Sequence, residues 1–271
     1  MNVRTGKAEE QLAGAIARRI TGRDRQIADA LYEHRVLTAQ QLYELYFVTL
    51  ERARERLTQL HQLPLVERFR PYRQYGSHPY HYLLAQAGAL LVASERGVEV
   101  AELDWARAKT LRLASSQQLR HQVEANGIVT RLAQALRATP SAGLIEWRGQ
   151  RRCAQTWGEL VRPDSYLRLQ LPAGPLELWL EHDRSTETHA RLQDKLDRYE
   201  ELALALEQPI ALLVTLTSDR REQEARRALR PAGDVLLLTT TLERHCADPL
   251  AANWLPAHSQ SRIALTDLAR T

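Results

Sequence analysis

Residues 176–188 read L-E-L-W-L-E-H-D-R-S-T-E-T, an apolar run that closes on Glu181-His182-Asp183 and gives way to a helical pattern. An apolar run of this length, bounded by turn residues, reads as a β-strand. Side chains two apart in a strand leave the same face, so Glu181 and Asp183 point one way and His182 the other. Upstream, Tyr166 to Leu171 reads as a partner strand, joined through the turn Pro172-Ala173-Gly174-Pro175. Downstream, ETHARLQDKLDRYEELALALE is a long amphipathic helix that Pro209 ends. The all-apolar IALLVTL that follows suits a strand buried on both faces. Further out lie a helix from Ser115 with Leu119, Val123, Ile128, Leu132 and Leu136 on its apolar side, and a strand at Leu144 to Trp147. A polar, Arg-rich loop holding Cys153 and Trp157, a helix at Asp219 to Leu229 and a strand at Val235 to Leu238 complete the order α, β, β, β, α, β, α, β. That order predicts an α/β domain with a mixed central sheet over residues 115–245, followed by a tail at 246–271.

Residues 20–96 read differently. Ile27, Ala30 and Leu31 share one face of a first helix, Thr38 is placed to cap a second helix (TAQQLYELYF), and Thr49 a third (LERARERLTQLHQL). Leu65-Glu67-Phe69 and Tyr80-Tyr82-Leu84 alternate around a Pro/Gly/Ser-bearing tip, the pattern of a β-hairpin. Three helices and a hairpin give the order of a winged helix-turn-helix, whose third helix enters the DNA major groove while the wing touches the flanking backbone. The third helix offers Arg52, Arg54, Thr58 and Gln59; the wing offers Arg68, Arg70, Tyr72, Arg73, Tyr75 and His78. The lesser alternative is that Glu51, Glu55 and Glu67 partner these arginines on a solvated surface, since winged helices also serve as protein-docking modules. Residues 97–114 read as a connector, within which Ala101 to Arg112 suits either a linker or a long helix.

Composition narrows the classes. The 271 residues carry a formal charge of +4, and of 37 basic residues only Lys7, Lys109 and Lys195 are lysines. Guanidinium groups suit phosphate and base edges, but GC-rich codon usage gives the same excess. There is no apolar run long enough to cross a membrane and no apolar leader at the N-terminus, so neither a membrane partner nor a secretion signal is expected. Cys153 and Cys246 lack metal-ligand or disulfide spacing, which suits a cytoplasmic protein. Neither GxGxxG nor GxxxxGK[ST] occurs, so no nucleotide cofactor is expected, and HExxH and GxSxG are absent as well.

The order of elements in the second domain is similar to the core of PD-(D/E)XK nucleases, which collect acidic residues from their second and third strands. Here Pro163-Asp164 precedes the second strand and Glu181-His182-Asp183 closes the third. Convergence of Asp164, Glu181 and Asp183 would offer oxygen ligands to Mg²⁺ or Mn²⁺, which could polarise a phosphodiester and activate water. Glu124 on the first helix is a fourth candidate carboxylate. The motif's usual lysine, two residues after the acid, is replaced by Asp183. Lys195 is the domain's one lysine. A helix running back along the strand returns about 14 Å over nine residues, roughly four strand residues, which brings Lys195 level with the acidic end and Tyr199 one turn further on the same face.

With these residues in view, the chain resembles the replication-relaxation family of plasmids and other mobile elements, over about Asp24 to Leu238. The resemblance rests on VLTAQQLYELYF, RARERLTQLHQLPLVERFRP and HYLLAQAGALL in the first domain. In the second it rests on RPDSYLRL, LWLEHDRSTET and KLDRY, where Pro163, Asp164, Glu181, Asp183, Thr186, Lys195 and Tyr199 fall at motif positions. It implies a bacterial protein at the nucleoid or a plasmid that binds double-stranded DNA. In one reading it is a Mg²⁺-dependent endonuclease with Asp164, Glu181, Asp183 and Lys195 as its catalytic set, supported by Thr186, which would cap the long helix or bond the site, and by Tyr199. In the other it is a non-catalytic regulator or replication accessory factor on a nuclease-derived scaffold, with the apolar Leu202 to Leu206 end of the helix available for a homodimer.

Overall fold

The computed structural model describes residues 19–72 and 74–269. The chain divides into two compact units, residues 1–123 and 124–271. No helix among the described residues is long and apolar enough to cross a membrane.

In the first unit, α1 (Gly22–His34), α2 (Ala39–Tyr46) and α3 (Leu50–Gln62) are followed by the hairpin β2 (Val66–Phe69) and β3 (His81–Leu84). The short β1 (Leu37–Thr38) pairs antiparallel with β3, giving a three-stranded sheet in the order β1-β3-β2. The local chemistry of the helix starts explains these boundaries. Thr21 and Thr38 each close a capping box, with Asp24 and Gln41 as the reciprocal partners, and the Thr49 hydroxyl accepts from the Arg52 amide. Ile27, Leu31, Leu42, Ala53, Leu57 and Leu60 bury the facing stripes. Asp24 is itself buried and is held by Arg56, whose Nε and Nη2 donate to its two oxygens at 2.9 and 2.6 Å, so Arg56 braces α1 against α3. Beyond the hairpin come α4 (Gln86–Arg96), a single 3-10 turn (Val100–Glu102) and α5 (Arg107–Ala114). Residues 107–114, expected as part of a connector, form this last helix, and its Leu113 packs with Val36 and Leu83.

The division between the units falls within α6 (Gln118–Arg137). The second unit holds a six-stranded sheet in simple sequence order: β4 (Gly143–Gly149), β5 (Ser165–Leu171), β6 (Gly174–Asp183), β7 (Ile210–Leu216), β8 (Val235–Thr241) and β9 (Leu255–Pro256). The first three pair antiparallel, β6-β7-β8 run parallel and β9 returns antiparallel, so the sheet is mixed. Both parallel connections carry a helix, α8 (His189–Leu206) and α9 (Asp219–Ala228), as crossovers require. One sheet face packs Tyr166, Trp179, Leu212 and Val214 against Leu192, Leu196 and Tyr199 of α8. The other packs Leu178, Leu180 and Leu213 against Ile128, Leu132 and Leu136 of α6.

Two expectations are corrected by the structure. Within the Arg-rich stretch read as loop lies helix α7 (Gln150–Trp157), whose Cys153 is fully buried and whose Trp157 joins Tyr166 and Trp179 in an aromatic cluster with ring centroids 5.1 to 5.9 Å apart. Residues from 246 onward are no loose tail: they supply α10's last two residues (Leu242–Ala247), strand β9, helix α11 (Leu265–Leu268) and the buried Trp254 and Leu265. Arg226 fixes this segment by donating to the carbonyls of Leu255, Pro256, Ala257 and Ser259.

His245 of α10 lies wholly buried, with Nε2 2.8 Å from the Ile128 carbonyl. Burial pushes its pKa down to about 4. A folded-state value below the unfolded one means that the unfolded chain binds the proton first, so this stability is complete above about pH 6.5 and lost as pH falls toward 4. The loss amounts to about 3 kcal/mol at most. Urea unfolding of wild type and His245→Gln across pH 4 to 7.5 is expected to show this component in the wild type alone; parallel curves would contradict it.

Candidate functional site

The register of β5 and β6 builds the site. Ser165 lies opposite Leu180 and Tyr166 opposite Trp179, so the residue just before β5, Asp164, falls beside Glu181 on the face that α8 covers. Both side chains are buried, at 6% and 8% exposure. Asp164 Oδ2 accepts the backbone N–H of His182 at 2.8 Å, which ties the end of the Pro163-Asp164 turn to the acidic strand. From α8, Lys195 Nζ donates to Glu181 Oε2 at 3.2 Å and the Tyr199 hydroxyl to Oε1 at 2.8 Å. Lys195 also meets Glu187 at 3.1 Å. Helical spacing of four brings Lys195 and Tyr199 to one carboxylate from successive turns.

The electrostatics follow from two like charges in a place water hardly reaches. Burial, and then the Asp164 charge, push Glu181 up to about 7 against the opposing pull of Lys195 and Tyr199. For Lys195, burial alone would lower the pKa, but the charges of Glu181, Glu187 and Asp164 outweigh it and hold the ammonium above its ordinary value. Burial and the neighbouring Glu181 charge likewise raise the Tyr199 hydroxyl, which stays protonated and donating. Glu181, Lys195 and Tyr199 line a cavity of about 420 Å³ whose wall includes residues 158–162 and whose lining includes Arg162 and Arg198. The sequence reading missed both arginines, although Arg198 stands three after Lys195 and Arg162 two before Asp164.

Other expected members are elsewhere. Asp183 shares the strand face with Glu181, yet its Oδ2 accepts from Arg221 Nε at 2.6 Å and its Oδ1 from the Ser185 amide at 2.9 Å. Arg221 in turn reaches His189 and the Glu187 carbonyl, so Asp183 anchors α9 to the loop before α8. Among the described residues no three His, Cys, Asp or Glu side chains are grouped to hold a metal ion, and Asp183 is engaged by Arg221 while Asp164 lies beside Glu181. Glu124 is on the opposite face, 2.9 Å from Arg184 and 3.4 Å from His182, because α6 packs on that side of the sheet. Thr186 is exposed, and the cap of α8 is Thr188, whose hydroxyl accepts from the Arg191 amide.

In the first unit, Arg52, Arg54 and Gln59 are exposed on α3, and Gln59 accepts from Arg56. Thr58 is half-buried and donates to the Arg54 carbonyl. In the hairpin, the guanidinium groups of Arg68 and Arg70 lie over the Tyr80 ring, 4.4 and 3.8 Å from its centroid. Tyr72 and Tyr75 project from the tip, 91% and 80% exposed, and His78 is half-buried. Arg73 lies outside the described residues.

A helical unit carrying a basic hairpin, followed in the chain by a mixed-sheet α/β unit with paired buried carboxylates, is the class of protein these observations define. The sequence model of the replication-relaxation family matches residues 29–217, well over half of the chain, and the protein belongs to that family. The curated proteins and the solved structures offer no match.

The two aspartates are expected to behave oppositely on substitution. Asp183→Ala strands Arg221, whose side chain is only 11% exposed, and should cost about 3 kcal/mol in denaturant unfolding. Asp164→Asn keeps an acceptor for the His182 amide and removes a repelling charge, so at pH 8 it should leave stability unchanged or raise it by about 1 kcal/mol. Equal destabilisation by both would contradict these assignments.

Proposed function

We propose that the protein binds double-stranded DNA through its first unit, a winged helix, and acts on that DNA with its second, a PD-(D/E)XK nuclease-like domain, in the replication or relaxation of a plasmid or other mobile element. Family membership supports the setting. The order of three helices and an antiparallel hairpin, with exposed Arg52, Arg54 and Gln59 on the third helix, supports the DNA-binding part. Exposed tyrosines and stacked arginines on the hairpin suit contacts to sugar and phosphate.

The observation that carries the catalytic reading is the pairing of Asp164 and Glu181 with Lys195 beside them, the acidic pair and lysine of the nuclease motif with the lysine supplied from α8 instead of the strand. The donor set is all carboxylate oxygen, and burial together with the Asp164 charge raises Glu181, a penalty a cation would relieve, so a hard divalent cation fits there on two carboxylates, its other positions left to water and phosphate. Asp164 and Glu181 would hold Mg²⁺ or Mn²⁺, which would supply charge stabilisation at the phosphodiester and an activated water. Lys195 places a fixed positive charge where negative charge develops, and Tyr199 holds Glu181 in one orientation. Asp183 has no part in this set; its charge is neutralised by Arg221.

Incubation of supercoiled plasmid with full-length protein and Mn²⁺ or Mg²⁺, with binding followed in the same samples, tests the reading. Wild type is expected to bind and nick, Glu181→Gln and Lys195→Gln to bind and drop at least about 100-fold in nicking rate, and Arg52→Gln/Arg54→Gln to bind more weakly. Binding without nicking in any metal would support the second reading, a regulator or accessory factor on the same scaffold. The apolar end of α8 favours that second reading in one respect, because Leu204 is 75% exposed at the helix surface.

A further inference from the structure

A second basic concavity lies in the first unit, away from α3 and the hairpin tip in sequence. It measures about 510 Å³ and is lined by Arg35, Lys109, Arg112 and Ser116, together with apolar and amide neighbours. We propose that it is a binding site for phosphate oxyanions, contributed either by the DNA backbone or by a free phosphorylated small molecule.

Three features converge. The first is charge: the lining carries three cations and no carboxylate. Lys109 and Arg112 stand three apart on α5 and so share a helix face. Lys109 meets Asp104 at 2.7 Å, but both are about half exposed, a pair that an incoming phosphate can displace at small cost. Arg112 Nε donates to the Ala108 carbonyl of its own helix at 3.3 Å, a long bond to a neutral acceptor that leaves its charge for an anion.

The second feature is the backbone at Arg35. It has φ of 67°, the left-handed region that costs a side-chain-bearing residue energy, and the Val36 amide closes a tight turn onto the His34 carbonyl at 2.8 Å. A glycine would take this conformation without strain, yet an arginine is there and lines the concavity. The third is the start of α6. The amide of Gln118, its first residue, donates to the Ser116 hydroxyl at 3.0 Å, and the positive end of a 20-residue helix thereby sits at the rim. Two guanidinium groups and an ammonium around one concavity supply the charge-assisted donors of a phosphate receptor.

The DNA-backbone source rests on the first unit's binding duplex DNA, and the experiment separates the two claims. Thermal midpoints of full-length protein are measured with pyrophosphate at constant ionic strength, and duplex affinity is measured across a salt series. The proteins are wild type, Lys109→Gln/Arg112→Gln, Arg35→Gly and Arg52→Gln/Arg54→Gln. Wild type should be stabilised by pyrophosphate, and both concavity variants should lose that shift; in chloride Lys109→Gln/Arg112→Gln should keep its midpoint, and Arg35→Gly, relieved of the positive φ, should keep or raise its own. If the occupant is DNA backbone, Lys109→Gln/Arg112→Gln should also flatten log K against log salt by about 0.9 for each phosphate it no longer neutralises. Loss of the pyrophosphate shift with an unchanged salt slope would support the free small molecule. A pyrophosphate response absent in the wild type or kept by the variants, with an unchanged slope, would overturn the site. Failure of wild type to bind DNA would instead sink the DNA-binding reading and leave the pyrophosphate arm to decide this one.

Discussion

Two carboxylates forced together in a nearly dry place are the constraint on which the second unit is arranged. The register of β5 against β6 puts Asp164 beside Glu181, and desolvation makes two negative charges there unfavourable. The groups around the pair offset that penalty. Lys195 and Tyr199 reach Glu181 from α8, and the His182 amide reaches Asp164 across the strand ends. A fold selected for stability alone would have placed an apolar pair at these positions, as it does with the aromatic rings of Tyr166 and Trp179 two residues further along the same two strands. Electrostatics of this kind gather at working sites, and the proposed function places its chemistry at this end of the sheet.

Asp183 shows how position on a strand and role in a site can separate. It leaves the same face as Glu181, but α9 places Arg221 against it, and the resulting pair closes the loop between β6 and α8. His182, on the other face, reaches Thr215 and Glu124 and so belongs to the packing of α6. Three consecutive residues thus serve three different neighbours. Of the three, Glu181 alone lines the cavity shared with Lys195 and Tyr199.

What was legible in the sequence is what local physics decides. Thr38 and Thr49 start helices because their hydroxyls satisfy free amides, Pro209 precedes the buried strand that follows α8, and the helix-return arithmetic brings Lys195 and Tyr199 to Glu181. What stayed hidden depends on distant partners. Arg221 is 38 residues from Asp183, and nothing in the local pattern couples them. Helix α7 carries too many arginines to look buried, yet Cys153 and Trp157 give it a core face. Thr186 and Thr188 are equivalent by composition, and only the start of α8 at His189 decides between them. The two-residue strand β9 is below any periodic signal, and Trp254 beside it is the one local sign that the C-terminal segment is packed.

Asp164 and Glu181, without Asp183, are on this reading the cation-binding pair of the second unit. Calorimetric titration of Mn²⁺ into the full-length protein tests that assignment most directly, comparing wild type with Asp164→Asn, Glu181→Gln and Asp183→Asn at a temperature where all four are folded. The expected result is one site in wild type, at least about a tenfold drop in affinity in the first two variants and less than about a threefold change in the third. Binding that survives removal of the Asp164 or Glu181 charge, or that disappears with Asp183, would contradict it.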